Sequence, residues 1–102
     1  MIDLELSFTA ELWVYTGPGA WHFLTLPAEA AEQIKFFREK HHGFGTVRVR
    51  AVIGSTEWQT SLFPDKASDS FLLPVKAGVR KKEGLSAGNQ AEVMLFIDRN
   101  VK

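Results

Sequence analysis

The strongest constraint on the fold is an order of elements that occurs twice: a strand ending in leucine and proline, a helix, a glycine and another strand. The later copy spans 71–98, FLLPVKAGVRKKEGLSAGNQAEVMLFID, and a weaker copy spans 23–53. Leu26-Pro27 corresponds to Leu73-Pro74, and a glycine precedes the last strand of each copy. Two copies of one unit predict a small barrel with an internal pseudo-twofold axis, like a symmetric dimer fused into one chain. Coincidence is the alternative, because such element orders are common.

Alternation of apolar and polar residues predicts six strands. The clearest strand covers residues 2–15, where every second residue is apolar, as in a half-buried strand. The others are predicted at 20–26, 46–53, 56–63, 70–75 and 91–97. Gly54-Ser55 is expected to form a tight hairpin turn with glycine first. Pro64 is expected to end the fourth strand.

Two helices are expected between the strands. Pro27 opens the main helix, since proline fits a first helical turn, and three- and four-residue spacing predicts a buried stripe of Ala30, Ile34, Phe37 and His41. Gly43 is the expected C-terminal cap. The second, short basic helix covers 76–84, with Val79 as its apolar anchor. The predicted fold is therefore mainly β, with one main and one short helix. It forms a single domain over residues 1–102, whose repeat halves, about 2–53 and 47–98, overlap at the third strand.

Composition limits the function classes. The chain has 102 residues, and its 12 basic residues balance its 12 acidic residues, so net charge gives no general attraction to nucleic acid. The absence of cysteine excludes disulfides and thiolate chemistry. No apolar run reaches the ~18 residues of a membrane helix, and the N-terminus does not read as a signal peptide. We therefore expect a cytoplasmic protein.

Two family resemblances follow from the motifs. The stretch LPVKAGVRKKEGLSAG and the strand after it resemble the half-barrel unit of the AbrB and MazE families, in which two chains interlock as a double-split barrel; Gly88-Asn89 stands where those families have Gly-Asp. The whole chain resembles a bacterial family catalogued as a domain of unknown function, number nineteen hundred and five. The resemblance rests on Phe8, Trp21, Leu26-Pro27 and the segments 47–66 and 73–93. It implies a single-chain double-split β-barrel and no established activity.

Basic residues supply the main candidate site. Arg48 and Arg50 alternate on the outer face of the third strand, and Arg80 lies with lysines 76, 81 and 82 on the second helix. If the two groups converge, they form an anion site. Arg80 follows the leucine-proline motif at a fixed distance in the resembling families. The alternatives are a solvated surface, or an ion pair of Arg80 with Asp65 or Asp69.

Aromatic and histidine residues are weaker candidates. Trp13, Trp21, Trp58, Phe44 and Phe63 include positions on outer faces, where rings beside arginines would stack on a flat ligand. The alternative is that they cover the barrel ends or fill a second small core. His41 and His42 are adjacent and point about 100° apart on a helix, which does not suit joint chelation, and we expect neither a metal nor a cofactor. No catalytic motif is present.

The favoured interpretation is a small binding or interaction module. It would recognise an anionic small molecule or a protein partner, as a monomer or weak homodimer, through a rim of Arg48, Arg50, Trp58, Ser61, Asp65 and Arg80. One alternative is a DNA-binding regulator, by analogy with AbrB, although the neutral charge does not favour nucleic acid. A second alternative is an enzyme acting on a small ligand.

Overall fold

The computed structural model describes residues 4–40 and 45–98, so the predictions for His41, Gly43 and Phe44 lie outside the described residues. It confirms a mainly β fold with two helices. The six strands close into an antiparallel barrel in the order β1-β2-β5-β4-β3-β6. The elements are β1 (Leu4–Val14), β2 (His22–Thr25), α1 (Ala28–Lys40), β3 (Val47–Ile53), β4 (Thr56–Asp65), β5 (Ser70–Pro74), α2 (Ala77–Glu83) and β6 (Gln90–Ile97). Within the described residues, no helix is long and apolar enough to cross a membrane.

The two longest strands each change partner along their length. β1 pairs with β6 up to Glu11 and with β2 from Leu12 onward. β4 pairs with β3 up to Leu62 and with β5 from Phe63 onward. The expectation that Pro64 ends its strand is wrong, because β4 continues to Asp65. Pro64 lies beyond the last β3 pair, so its missing N–H removes no bond to that neighbour.

The register of β2 and β5 fits the predicted axis. Aligning their leucine-proline pairs relates the two strands by 47 positions, and Thr25 lies opposite Leu72, the residue 47 positions later. Similarly, aligning VRVRAVI with AEVMLFI relates β3 to β6 by 44 positions. Ala51 lies opposite Leu95, the residue 44 positions later. A twofold axis would pass through these two pairs.

The remaining registers give one consistent shift for β1 and β4. Leu12 lies opposite Leu24 in β2. Pro64 lies opposite Phe71, which is the residue 47 positions after Leu24. Leu6 lies opposite Leu95 in β6. Trp58 lies opposite Ala51, which is the residue 44 positions before Leu95. Both comparisons relate β1 to β4 by 52 positions. The pairing therefore has the symmetry that a repeat requires, whereas an origin by fusion stays a prediction.

The core lies inside the barrel and under the helices. Alternating residues of β3 and β6 face inward as predicted, among them Ala51 and Leu95, which are fully buried. On α1, Ala30, Ala31 and Ile34 are buried against the barrel, and Phe37 is half-buried. Trp58 is only 7% exposed and packs in the core, so it is not one of the candidate aromatic residues that lie on an outer face.

Short-range features hold the second helix in position. Val79 is its buried residue, and Gly84 ends it with φ 64° and ψ 37°, a left-handed geometry that glycine adopts without steric cost. Glu83 accepts hydrogen bonds from the hydroxyls of Ser55 and Thr56. Since these two residues belong to the β3–β4 turn and the start of β4, Glu83 ties α2 to that hairpin.

Candidate functional site

A cleft of about 240 Å³ lies where the β1–β2 loop meets β4 and the start of α2. We call it the Arg80 cleft. Its lining consists of Gly19–His22, Trp58–Thr60, Pro74–Lys76 and Arg80. None of these described lining residues is acidic, and Lys76 adds a second cation at the exposed edge. The cleft is therefore suited electrostatically to a negatively charged ligand.

The guanidinium of Arg80 is held in place without a carboxylate. Its Nε donates a hydrogen bond to the Val75 carbonyl oxygen at 3.1 Å, and Nη1 lies 3.5 Å from His22 Nε2. The side chain is half-buried. Among the described residues, no acid pairs with it, and its remaining N–H groups have no partner. Such a fixed fork of donors matches the oxygens of phosphate and carboxylate groups.

His22 reaches the cleft because it begins β2 on the same side as the buried Leu24. Its Nδ1 lies 3.1 Å from the Ala20 carbonyl oxygen, and its backbone oxygen accepts a hydrogen bond from the Val75 N–H at 3.0 Å. The ring contacts fit the neutral tautomer with the proton on Nδ1, which leaves Nε2 to accept from Arg80. His22 thus orients Arg80 without neutralising its charge.

At the symmetry-related end of the barrel, a different cation is paired with an acid. Shifting His22 by the 47 positions that relate β2 to β5 gives Asp69. Lys35, on α1, donates to the Asp69 backbone oxygen at 2.9 Å and to its Oδ1 at 3.0 Å. The hydrogen bond with Asp69 raises the pKa of Lys35, and the Asp69 and Glu32 charges add to the increase against the opposing effect of desolvation. Among the described residues, the cation at one of these equivalent ends is paired with an acid, whereas Arg80 at the other end is not.

The structure separates the six predicted site residues. Trp58 and Arg80 line the Arg80 cleft together. Arg48 lies 3.5 Å from the Ser61 hydroxyl on the outer face of β3 and β4. The guanidinium of Arg50 pairs with Glu57 at 3.1 Å and lies 4.3 Å from the Phe96 ring centroid.

Asp65 lies elsewhere, and the ion pairs suggested for Arg80 are not formed. The Asp65 carboxylate accepts hydrogen bonds from the backbone and hydroxyl of Ser68, and Asp69 pairs with Lys35. Arg80 contacts Val75 and His22 instead. The single convergent rim of the sequence analysis is therefore divided between a cleft and an outer strand face.

Sequence reasoning missed His22, Gln59 and Thr60 as lining residues of the cleft. For His22 the repeat gave a signal, since it aligns His22 with Asp69. One half therefore has a histidine where the other half has an acid. For Gln59 and Thr60 no motif gave a signal, because their place depends on the register of β4 against β3.

Fold and cleft together define a small six-stranded β-barrel domain with an arginine at one end that no acid in the described part of the chain neutralises. Residues 8–95 match the family described as Domain of unknown function (DUF1905). The chain belongs to this family. No curated protein matches the sequence.

Proposed function

We propose that the protein is a cytoplasmic binding module that recognises a small anionic ligand in the Arg80 cleft. The observation that carries the proposal is the half-buried Arg80 guanidinium, which is oriented by Val75 and His22 and has no acidic partner among the described residues. A cation that is withdrawn from water is stabilised by an anion beside it, and Arg80 is partly withdrawn from water. A ligand phosphate or carboxylate would supply that anion.

The rest of the cleft suits a small ligand with an anionic end. Trp58 forms an apolar, buried wall, and Thr60 and Gln59 add neutral hydrogen-bonding groups. Lys76 provides a second positive charge at the exposed edge. A volume of about 240 Å³ is smaller than that of most drug-sized ligand sites, so we expect a compact anion or the anionic end of a larger molecule.

The DNA-binding and enzymatic alternatives stay predictions. A polyanionic duplex would require a broad basic surface with a strong dependence on salt. The described lining of the cleft offers an imidazole and two cations but no carboxylate. A carboxylate beside Arg80 would favour an enzyme, and the described lining does not provide one. A protein partner stays open as a second kind of ligand for the module.

A thermal-shift panel tests the proposal directly. Wild type is screened with inorganic phosphate, pyrophosphate, sugar phosphates, nucleoside monophosphates, dicarboxylates and a short DNA duplex, at two salt concentrations. A ligand present at a hundred times its dissociation constant adds ~2.7 kcal/mol of stability, which raises the unfolding midpoint. We expect at least one small anion to stabilise the protein at both salt concentrations, and Arg80→Met to abolish that shift.

Lys35→Met is the matched control, since Lys35 is the cation at the equivalent end of the barrel. It should leave the ligand-induced shift unchanged. Loss of the shift in both variants would indicate a general charge effect and contradict a specific cleft. A shift caused only by DNA at low salt would support the regulator alternative instead.

A further inference from the structure

A groove of about 450 Å³ crosses the outer surface of the barrel where the ends of β1 and β4 flank β2 and β5. We call it the aromatic face and define it by Trp13, Tyr15, Trp21, Phe23, Phe63 and Asp65. Three of its rings are strongly exposed: Trp21 is 52%, Tyr15 is 47% and Phe63 is 40% exposed. Contiguous exposed aromatic surface of this kind marks interaction sites in soluble proteins.

The fold itself does not require these aromatic residues. The 52-position shift between β1 and β4 places Asp65 at the equivalent of Trp13, and Glu11 at the equivalent of Phe63. The 47-position shift places Ser68 at the equivalent of Trp21. The Trp13–Phe23 strand pair of one half thus corresponds to the Asp65–Ser70 pair of the other half, and Phe63 corresponds to Glu11. Barrel closure therefore does not explain the aromatic rings.

Three of the rings, those of Trp13, Trp21 and Phe23, pack on one another before any ligand binds. Trp13 donates from Nε1 to the Thr25 hydroxyl at 2.8 Å, and its ring centroid lies 5.3 Å from that of Phe23. Trp21 stacks on Phe23 with an interplanar angle of 8°. A Cβ added at Gly19 would lie 2.8 Å from Trp21 Nε1, so the glycine allows the indole to pack against the loop. Fixed rings lose little conformational entropy on binding.

Polar groups at the groove define what it would bind. The indole N–H of Trp21 and the hydroxyl of Tyr15 have no hydrogen-bond partner among the described residues, so they are available donors. Asp65 is the charged group of the lining, and only its Oδ2 accepts from Ser68. The groove thus presents flat apolar rings, donors for carbonyl oxygens and one negative charge.

A proline-rich segment in the polyproline II conformation has the complementary chemistry. Its pyrrolidine rings pack on aromatic side chains, and its backbone offers solvated carbonyl acceptors but no proline N–H. A sugar would need more polar partners than this mostly apolar lining provides, and Asp65 would repel a nucleotide. We propose that the aromatic face binds a proline-rich peptide segment that carries a basic residue positioned near Asp65.

The test uses an oligoproline peptide with one terminal arginine, titrated into the full chain labelled with ¹⁵N. The three tryptophans give three indole N–H signals. The Trp21 signal should shift on titration and the signal of the buried Trp58 should not. Phe63→Glu, which installs the residue found at the equivalent position, should weaken binding by at least about tenfold. Phe63 does not line the Arg80 cleft, so this result is independent of the anion site.

Two further variants sharpen the result. Asp65→Asn should weaken binding of the arginine peptide several-fold and leave plain oligoproline unaffected. Phe36→Ser removes a ring that is 63% exposed on α1, away from the groove, and should leave peptide affinity unchanged. The proposal is overturned if no peptide shifts the Trp21 signal, or if Phe63→Glu has no effect in a folded protein. It is also overturned if that variant abolishes only self-association in sedimentation, which would identify a second copy as the occupant.

Discussion

The charges of Arg80 and Lys35 differ in their surroundings because of one residue each. Asp69 neutralises Lys35, whereas His22, at the equivalent strand position, orients Arg80 and leaves its charge available. Arg80 was identifiable from the sequence because it follows the leucine-proline motif. The absence of an acidic partner depends on contacts between distant segments, so the sequence could not exclude a pair with Asp65 or Asp69.

The raised pKa of Lys35 predicts a pH effect on stability. A cation whose folded pKa lies above its unfolded value stabilises the fold below the unfolded pKa, and loses that contribution as the pH rises through the folded value. The ordinary value is 10.5. Lys35→Met should therefore be less stable than wild type near neutral pH, by a small margin because the pair is exposed. The difference should shrink as the pH rises through and above the ordinary value of lysine.

Urea unfolding of both proteins at neutral and alkaline pH measures this effect. A gap between wild type and Lys35→Met that stays constant into the alkaline range would show that the Lys35–Asp69 pair makes no charge-dependent contribution.

A buried hydroxyl gives a second residue-level prediction. Ser70 is 6% exposed, and its Oγ donates to the Leu26 carbonyl oxygen at 2.7 Å. Ser70→Ala removes the donor and leaves that carbonyl without this bond, so it should lower the free energy of unfolding by about 1–2 kcal/mol. Chemical denaturation measures the loss, and a neutral result would mean that water replaces the hydroxyl.

At the level of elements, local patterns predicted most of the strands and their faces. Period-two alternation identified the inward residues of β3 and β6, and glycine at position 54, with φ 58°, marked the two-residue hairpin turn. The error at Pro64 has a physical origin. A proline disrupts a strand where its missing N–H would have bonded to a neighbouring strand, and the sequence does not show that β4 has already left β3 there.

Two glycines of the α2 region form a matched test of backbone geometry. A Cβ added to Gly78 or to Gly84 meets nothing within 4 Å, so only the backbone conformation differs. Gly78 lies inside the helix, and Gly78→Ala should stabilise the protein by about 0.5–1 kcal/mol. Gly84 has φ 64°, and Gly84→Ala should destabilise it by about 1–2 kcal/mol. Equal effects of the two variants in thermal unfolding would contradict this account of the helix end.

At the level of the whole molecule, the symmetric registers relate the β3–β4 turn to the place where the start of β1 meets the end of β6. Ile53 lies opposite Thr56 across the β3–β4 turn, and the shifts of 44 and 52 positions carry this pair onto Ile97 and Leu4, which also lie opposite each other. The repeat motif predicted two related halves. The motif did not locate the boundary between the halves, and the predicted halves overlapped at the third strand. The strand pairing instead relates residues 4–53 to residues 56–97.

This equivalence predicts a stable circular permutant. A Gly-Ser linker from Ile97 to Leu4 should reproduce the β3–β4 turn, and the chain can then be opened between Gly54 and Ser55. We expect the same β-rich circular dichroism spectrum and cooperative unfolding, with a modest loss of stability because the ends now interrupt the Glu83 contacts. A permutant that fails to fold would show that the two connections are not equivalent.

The most direct test of the central claim is a titration of wild type and His22→Asp with the small anion that gives the largest shift in the panel, followed by NMR. The substitution places at the Arg80 cleft the acid that Asp69 provides for Lys35, so Arg80 should gain a carboxylate partner. We predict that His22→Asp stays folded and loses at least about tenfold in anion affinity. Unchanged affinity in a folded His22→Asp variant would contradict the claim that an unneutralised Arg80 makes this barrel an anion-binding module.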